Sequence, residues 1–219
     1  MRRYLKRLID PLIGYGFRAY HSKPRRYSYK GLTVMVHPEV FPPHFTLSTK
    51  ILMDYISDLT LSGKSLLELG CGSGILSLFA ASKGAKVTAS DINQEALKGL
   101  EQDAELNQQE IELIESNLFK NIPHSDFDYI IINPPYYPKD PKNNQEKAWY
   151  CGQDFQYFKA LFPVLSKYCT PQNSILMILS QDCPLDSIRA IASQNGFQLQ
   201  PVHSKKIWGE TSTIYTLIK

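Results

Sequence analysis

No apolar run in the 219-residue sequence approaches the roughly 20 residues that a membrane-spanning helix needs. The four cysteines (Cys71, Cys151, Cys169 and Cys183) form no CxxC and no metal-like pairing with histidine. Free thiols in a reduced, cytoplasmic protein are the expectation. Acids are scarce at the start: over residues 1–30 Asp10 stands alone against nine Lys or Arg, a net charge of +8. Residues 31–219 then carry 15 basic and 20 acidic side chains, a net −5. The opening "MRRYLKRLIDPLIGYGF" is basic and then apolar, but Asp10 and Pro11 break the apolar part and no small-residue cleavage site follows, so it does not read as a secretory leader. A basic segment on a mildly acidic body fits an anionic partner such as RNA, a ribosome or lipid headgroups. It fits equally a solvated helix that aids solubility. There is no internal repeat and no low-complexity segment.

What is present is a change of grammar along the chain. Residues 2–9 read as a short basic helix stopped near Pro11. "RRYSYKGLTVMVHP" alternates on both sides of Lys30-Gly31, the mark of a hairpin. After Pro42-Pro43 a helical period runs through Ile51, Leu52, Tyr55 and Ile56. From Lys64 onward short apolar runs alternate with helical patterns. Strands are expected near 65–69, 86–90, 111–115, 127–132, 174–180, 198–206 and 211–218, with helices near 74–83, 93–107, 153–169 and 184–194. This predicts an α/β, Rossmann-like fold: a seven-stranded, mostly parallel sheet covered on both faces, with an antiparallel C-terminal strand. The expected division is a basic arm and hairpin over 1–45 and a sheet domain over 46–219.

In "SLLELGCGSG" (65–74) an apolar strand ends at Gly70 and a helix opens near Ile75. Alternating glycines between them allow positive φ and close approach of a ligand to the backbone. The free N–H groups and dipole of the following helix favour a negative group there. Glu68, near the strand end, suggests an acceptor for a cationic or hydrogen-bond-donating ligand. "AKVTASDIN" ends the next strand at Asp91. An acid at that place can accept both hydroxyls of a ribose, as in dinucleotide folds. The alternative is that Asp91 merely caps the helix that follows.

"LLELGCGSG" and "SDIN" resemble the first two motifs of class I S-adenosylmethionine-dependent methyltransferases, and the resemblance runs in order over about residues 32–219. It implies S-adenosylmethionine as cofactor. It places Glu68, Gly70, Cys71, Gly72 and Gly74 under its methionine part, Asp91 with Ile92 at its ribose, and Asn117 and Leu118 beside its adenine. The family's commoner residue in place of Asn117 is Asp; Asn still accepts from an adenine amine through its carbonyl oxygen.

"IIINPPYYP" (130–138) runs three β-branched residues into an amide, two prolines and two aromatic rings. Asn133, Pro134, Pro135 and Tyr136 match, position by position, the NPPY tetrapeptide of enzymes that methylate glutamine amides in release factors and exocyclic amines of adenine. The lone pair of such a planar nitrogen is delocalised and barely basic. Acceptors on its two N–H bonds hold it and favour pyramidal character as the new bond forms. The Asn133 side-chain oxygen, itself facing the cofactor, and the Pro134 carbonyl are the candidates, and Tyr136 offers a flat face for stacking. A Pro-rich turn after a buried strand is the bland alternative.

Two further stretches bear on the substrate. "KAWYCGQDFQYF" resembles the segment that follows NPPY in the release-factor enzymes, with Gly152 and Asp154 at the matching places; Phe155 and Phe158 are expected in the core. "VFPPHFTLSTKIL" resembles a segment that closes over cofactor, with Phe41, Phe45 and Thr49 as candidates. The resemblance therefore implies a methyltransferase acting on a planar nitrogen, with a protein glutamine amide ahead of an adenine in RNA or DNA. The release-factor enzymes carry a helical domain ahead of this region, whereas about 25 residues of basic character precede the hairpin in this sequence, and such a basic arm could instead neutralise phosphate while a base is flipped. A non-catalytic cofactor- or partner-binding module of the same fold is the reading from another class.

Overall fold

The computed structural model describes residues 22–38, 40, 43, 47–123, 126–207 and 209–219. The expected helix over 2–9 and the candidates Phe41 and Phe45 lie outside the described residues. Strands β1 (Arg25–Tyr29) and β2 (Leu32–Val36) form an antiparallel hairpin. Its two-residue turn is Lys30-Gly31, both at positive φ (50° and 83°), which suits the right-handed twist of the paired strands.

Seven further strands make one sheet: β3 (Ser65–Leu69), β4 (Lys86–Asp91), β5 (Ile111–Glu115), β6 (Tyr129–Ile132), β7 (Ser174–Ser180), β8 (Gln198–Ile207) and β9 (Glu210–Ile218). Their spatial order is β5-β4-β3-β6-β7-β9-β8. β3 to β7 pair in parallel, and β9 runs antiparallel to both β7 and β8. The chain steps outward from β3 through β4 to β5, then returns to the other side of β3 as β6. The order reverses between β3 and β6, and in open α/β sheets the ligand crevice lies outside the strand ends at that place.

Both faces of the sheet are covered, which explains the near-continuous apolar runs of the central strands. Leu66, Ile131, Leu176, Ile178 and Ile214 point into one core. Leu67, Leu69, Ile130, Ile132, Ile175, Met177 and Leu179 point into the other. Helices α1 (Ser48–Ile56), α2 (Ile75–Ser82) and α3 (Gln94–Leu106) cover the first face with the hairpin. A short α4 (Asn144–Lys147) follows NPPY, and α5 (Gln156–Leu165) and α6 (Leu185–Gln194) cover the second face. The hairpin shares the first core through Tyr27, Leu32, Val34 and Val36. The Asp103 carboxylate on α3 accepts the Met35 N–H at 2.8 Å, and the Asn107 amide donates to the Thr33 carbonyl at 2.9 Å.

Two local features differ from the sequence expectation. The helix expected over 153–169 is shorter: Gly152 and Phe155 sit at positive φ ahead of Gln156, and the chain leaves the helix after Leu165, two residues beyond Pro163. Phe158 is buried, as expected, whereas Phe155 is half-buried against the same core. The helical turn α4 had no apolar period to announce it; the Asn143 side chain starts it by accepting the Glu146 N–H at 2.9 Å. Among the described residues no helix is long and apolar enough to cross a membrane.

Candidate active site

A cavity of about 510 Å³ opens at the carboxyl ends of β3, β4, β5 and β6, a volume typical of small-molecule sites. Its floor is the β3–α2 loop. The Gly70 and Cys71 N–H groups donate to the Ser90 carbonyl at 2.8 and 2.9 Å, which ties the loop to the end of β4. A side chain at Gly70 would meet nothing within 4 Å, and its φ of 79° is left-handed, so this glycine keeps the backbone bare beside the cavity. Gly74 does something else. It starts α2 at φ 69°, and a Cβ there would collide with the Leu100 side chain. Gly70, Cys71 and Gly72 line the cavity, whereas Gly74 is not among its lining residues and serves the packing of α2 on α3.

Two carboxylates face this loop, Glu68 buried and Asp91 half-buried. Glu68 is 6% exposed and accepts the Ser77 hydroxyl from α2. Burial pushes its pKa up to about 8, against the pull of the Ser77 bonds. Asp91 ends β4. One of its oxygens accepts the Gly72 N–H at 2.8 Å and the other the Asn93 N–H at 2.8 Å. Burial raises its pKa, and the backbone donors offset part of the rise. The cap of α3 is Asn93, whose side chain accepts the Glu95 N–H at 3.1 Å. Asp91 is therefore not the cap, and its carboxylate lines the cavity. Burial among these acids also raises the Cys71 thiol pKa. Ile92, Asn117 and Leu118 form the far wall; Ile92 and Asn117 are exposed, and Leu118 takes a φ of 52° with its carbonyl accepting the Ser116 hydroxyl at 2.7 Å.

Asn133 follows β6 directly and lines the same cavity together with Pro135. It also lines a second, small pocket of about 10 Å³, whose other walls are Ser48, Pro134, Pro135, Tyr136, Tyr137, Ala148 and Trp149. Asn133 thus stands, with Pro135 and Ala148, on the wall that the two spaces share. Tyr136 and Tyr137 pack with ring centroids 4.8 Å apart at 56°. Burial raises the pKa of both phenols, and the two hydroxyls are hydrogen-bonded to each other.

The chain then makes an excursion and returns. The Tyr137 N–H donates to the Trp149 carbonyl at 3.1 Å, and the Cys151 N–H returns to the Tyr137 carbonyl at 2.9 Å. Asp140, Pro141, Asn144, Lys147 and Tyr150 from this loop roof the cavity. The Gln145 amide pins the loop to the Pro38 carbonyl at 3.1 Å. Thr49 lines the cavity, as does Gly152; Asp154 is exposed and does not. Sequence reasoning missed this roof, Tyr157 from α5 and Ser48. Nothing local announces them, because the loop is polar and aperiodic and Tyr157 reads as one more core aromatic.

The model of the methyltransferase small domain family matches residues 31–149. A putative protein N5-glutamine methyltransferase of Methanocaldococcus jannaschii is 38% identical over 110 residues, 50% of this chain and 53% of that protein. A tRNA1(Val) (adenine(37)-N6)-methyltransferase of Shewanella halifaxensis is 29% identical over 146 residues, 64% of this chain and 59% of that one. The chain thus spans little more than half the length of these curated relatives. Among solved structures, the E. cuniculi Mtq2–Trm112 complex, responsible for methylation of the eRF1 translation termination factor, superposes with a TM-score of 0.61 at 21% identity. That match covers 83% of this chain and 99% of that chain; at this identity the likeness is one of fold.

Proposed function

We propose that this chain, which belongs to the methyltransferase small domain family, is an S-adenosylmethionine-dependent enzyme whose acceptor is the side-chain amide of a protein glutamine. The observation that carries this reading is the place of Asn133, on the wall shared by the large cavity and the small pocket.

The residues of the large cavity fit the cofactor. Glu68, with a carboxyl pKa near 8, is stabilised as a carboxylate by a cationic or donating group brought beside it. It and the bare backbone of Gly70, Cys71 and Gly72 would hold the amino-acid end. Asp91 would accept from the ribose with the lone pairs that the backbone leaves over. Ile92, Asn117 and Leu118 would flank the adenine. S-adenosylmethionine supplies, when bound, an electrophilic methyl on a sulfonium.

Asn133 and Pro134 would then orient the acceptor. The Asn133 oxygen takes one N–H of the incoming NH₂ group and the Pro134 carbonyl the other, while Tyr136 flanks the plane of the group. Pro135 has no N–H and holds the Pro134 carbonyl in an extended conformation. No strong base is required before attack, because the nitrogen becomes acidic only as the new bond forms. The roof of residues 140–150 would limit the access of water to that step.

The size of the small pocket supports glutamine over adenine. About 10 Å³ is room for one water-sized group. A slender carboxamide tip needs less displacement of Tyr136 and Trp149 than a purine does. The name of the Methanocaldococcus relative points the same way, and that of the Shewanella relative points to adenine in tRNA. The basic segment of residues 1–30 would suit the adenine alternative through phosphate contacts. Incubating the purified chain with methyl-labelled S-adenosylmethionine and fractionated cell extract separates the two. Label recovered as N5-methylglutamine after digestion of the protein fraction is the expected result. Label entering RNA or DNA as a methylated base would overturn it.

A further inference from the structure

A carboxamide has two ends, and its oxygen carries more electron density than its nitrogen. An enzyme that methylates the nitrogen must keep the oxygen turned away from the electrophile. Asn133 and Pro134 offer only acceptors in the reading above, and two acceptors cannot hold a carbonyl oxygen. A donor is needed on the opposite wall of the small pocket.

Ser48 lines this pocket together with Asn133 and Pro134. It is the first residue of α1, a nine-residue helix whose N-cap, Leu47, has no side chain that can accept. The first backbone bond of the helix runs from the Ile51 N–H to the Leu47 carbonyl at 2.9 Å. The N–H groups before it are therefore left over by the helix, and they form its positive end. The Ser48 side chain is itself nine-tenths buried, at 9% exposure, and among the described residues its hydroxyl has no hydrogen-bond partner. On the same pocket wall the Tyr136 and Tyr137 hydroxyls bond each other.

We infer that Ser48, with the amino end of α1 behind it, binds the carbonyl oxygen of the acceptor amide and so presents the nitrogen to Asn133. The inference rests on the glutamine reading, since adenine has no carbonyl to bind. Ser48 is on this account a specificity residue. It orients the acceptor and contributes nothing to cofactor affinity, and it sets which of two nucleophilic atoms faces the sulfonium methyl.

The test uses the full chain, methyl-labelled S-adenosylmethionine and the acceptor protein fraction from cell extract, comparing Ser48→Ala and Ser48→Thr with the unaltered protein. Ser48→Ala is expected to raise the KM for the protein fraction about three- to tenfold, the reach of one neutral hydrogen bond. Cofactor affinity, measured by calorimetry, should stay within twofold, which also certifies the fold. Ser48→Thr keeps the hydroxyl and should recover most of the loss. If label still enters glutamine and the KM of Ser48→Ala is unchanged, the Ser48 assignment falls and the glutamine reading stands. A parallel loss of cofactor affinity in both variants would place Ser48 with the cofactor and overturn the assignment too. Label entering nucleic acid with the unaltered protein would remove the glutamine reading and this inference with it.

Discussion

The Asp91 carboxylate holds the Gly72 N–H at 2.8 Å, so the acid that ends β4 braces the glycine loop that ends β3. The same carboxylate holds the Asn93 N–H and lines the cavity. Asp91→Ala would leave two backbone donors unpaired, at about 1–3 kcal/mol each where they are buried. It should lower the melting temperature and weaken S-adenosylmethionine binding by more than tenfold, measured by calorimetry. Asp91→Asn keeps one accepting oxygen and should fall between.

Glu68 makes the stability of the ligand-free protein depend on pH. Burial raises its pKa from 4.5 to about 8, so between those values the folded state binds more protons than the unfolded chain. Its contribution is fully present below about pH 4.5 and is lost as pH rises through 8, by at most about 1.4 kcal/mol per pH unit. Melting temperatures from pH 5.5 to 8.5 should fall more steeply for the unaltered protein than for Glu68→Gln. Cofactor binding at pH 7 should release a proton, visible as a dependence of the calorimetric heat on the buffer's ionisation enthalpy, and Glu68→Gln should abolish the release.

Gly70 and Gly74 separate binding from packing. A Cβ at Gly74 meets Leu100, and one at Gly70 meets open space. Gly74→Ala should cost about 1–3 kcal/mol in chemical denaturation. Combined with Leu100→Ala it should cost less than the sum of the two, because the collision is gone. Gly70→Ala should show the reverse balance, with a greater loss of cofactor affinity than the cost of a strained φ alone explains.

Asn133→Ala should cut kcat by about a hundredfold or more, as loss of a group aimed at the transition state does, while cofactor affinity changes by no more than a few-fold. Full activity in this variant would remove Asn133 from the mechanism.

The strands and helices of the sheet domain were legible because burial writes itself into local sequence. "YIII" (129–132) is apolar throughout because both faces of β6 are covered, and the turn at Lys30-Gly31 needs the positive φ that its residues tolerate. The floor of the site was legible for the same reason: glycines, strand ends and acids are adjacent in sequence where they are adjacent in space. The roof was not. Asp140, Lys147 and Tyr150 come over the cavity through the return of the chain at Tyr137 and the Gln145 bond to Pro38, and neither leaves a periodic trace.

The amino-acid order alone was enough to determine the α/β architecture, the glycine loop and the NPPY turn, because each depends on residues within a few positions of one another. Only the tertiary structure decided that Gly74 packs against Leu100, that Asn93 takes the cap and frees Asp91 for the loop, and that Ser48 and Asn133 line one small pocket. These are meetings between residues that lie up to 85 positions apart. Such meetings are settled by how helices seat on the sheet, where close packing admits one arrangement, and no local pattern carries that information.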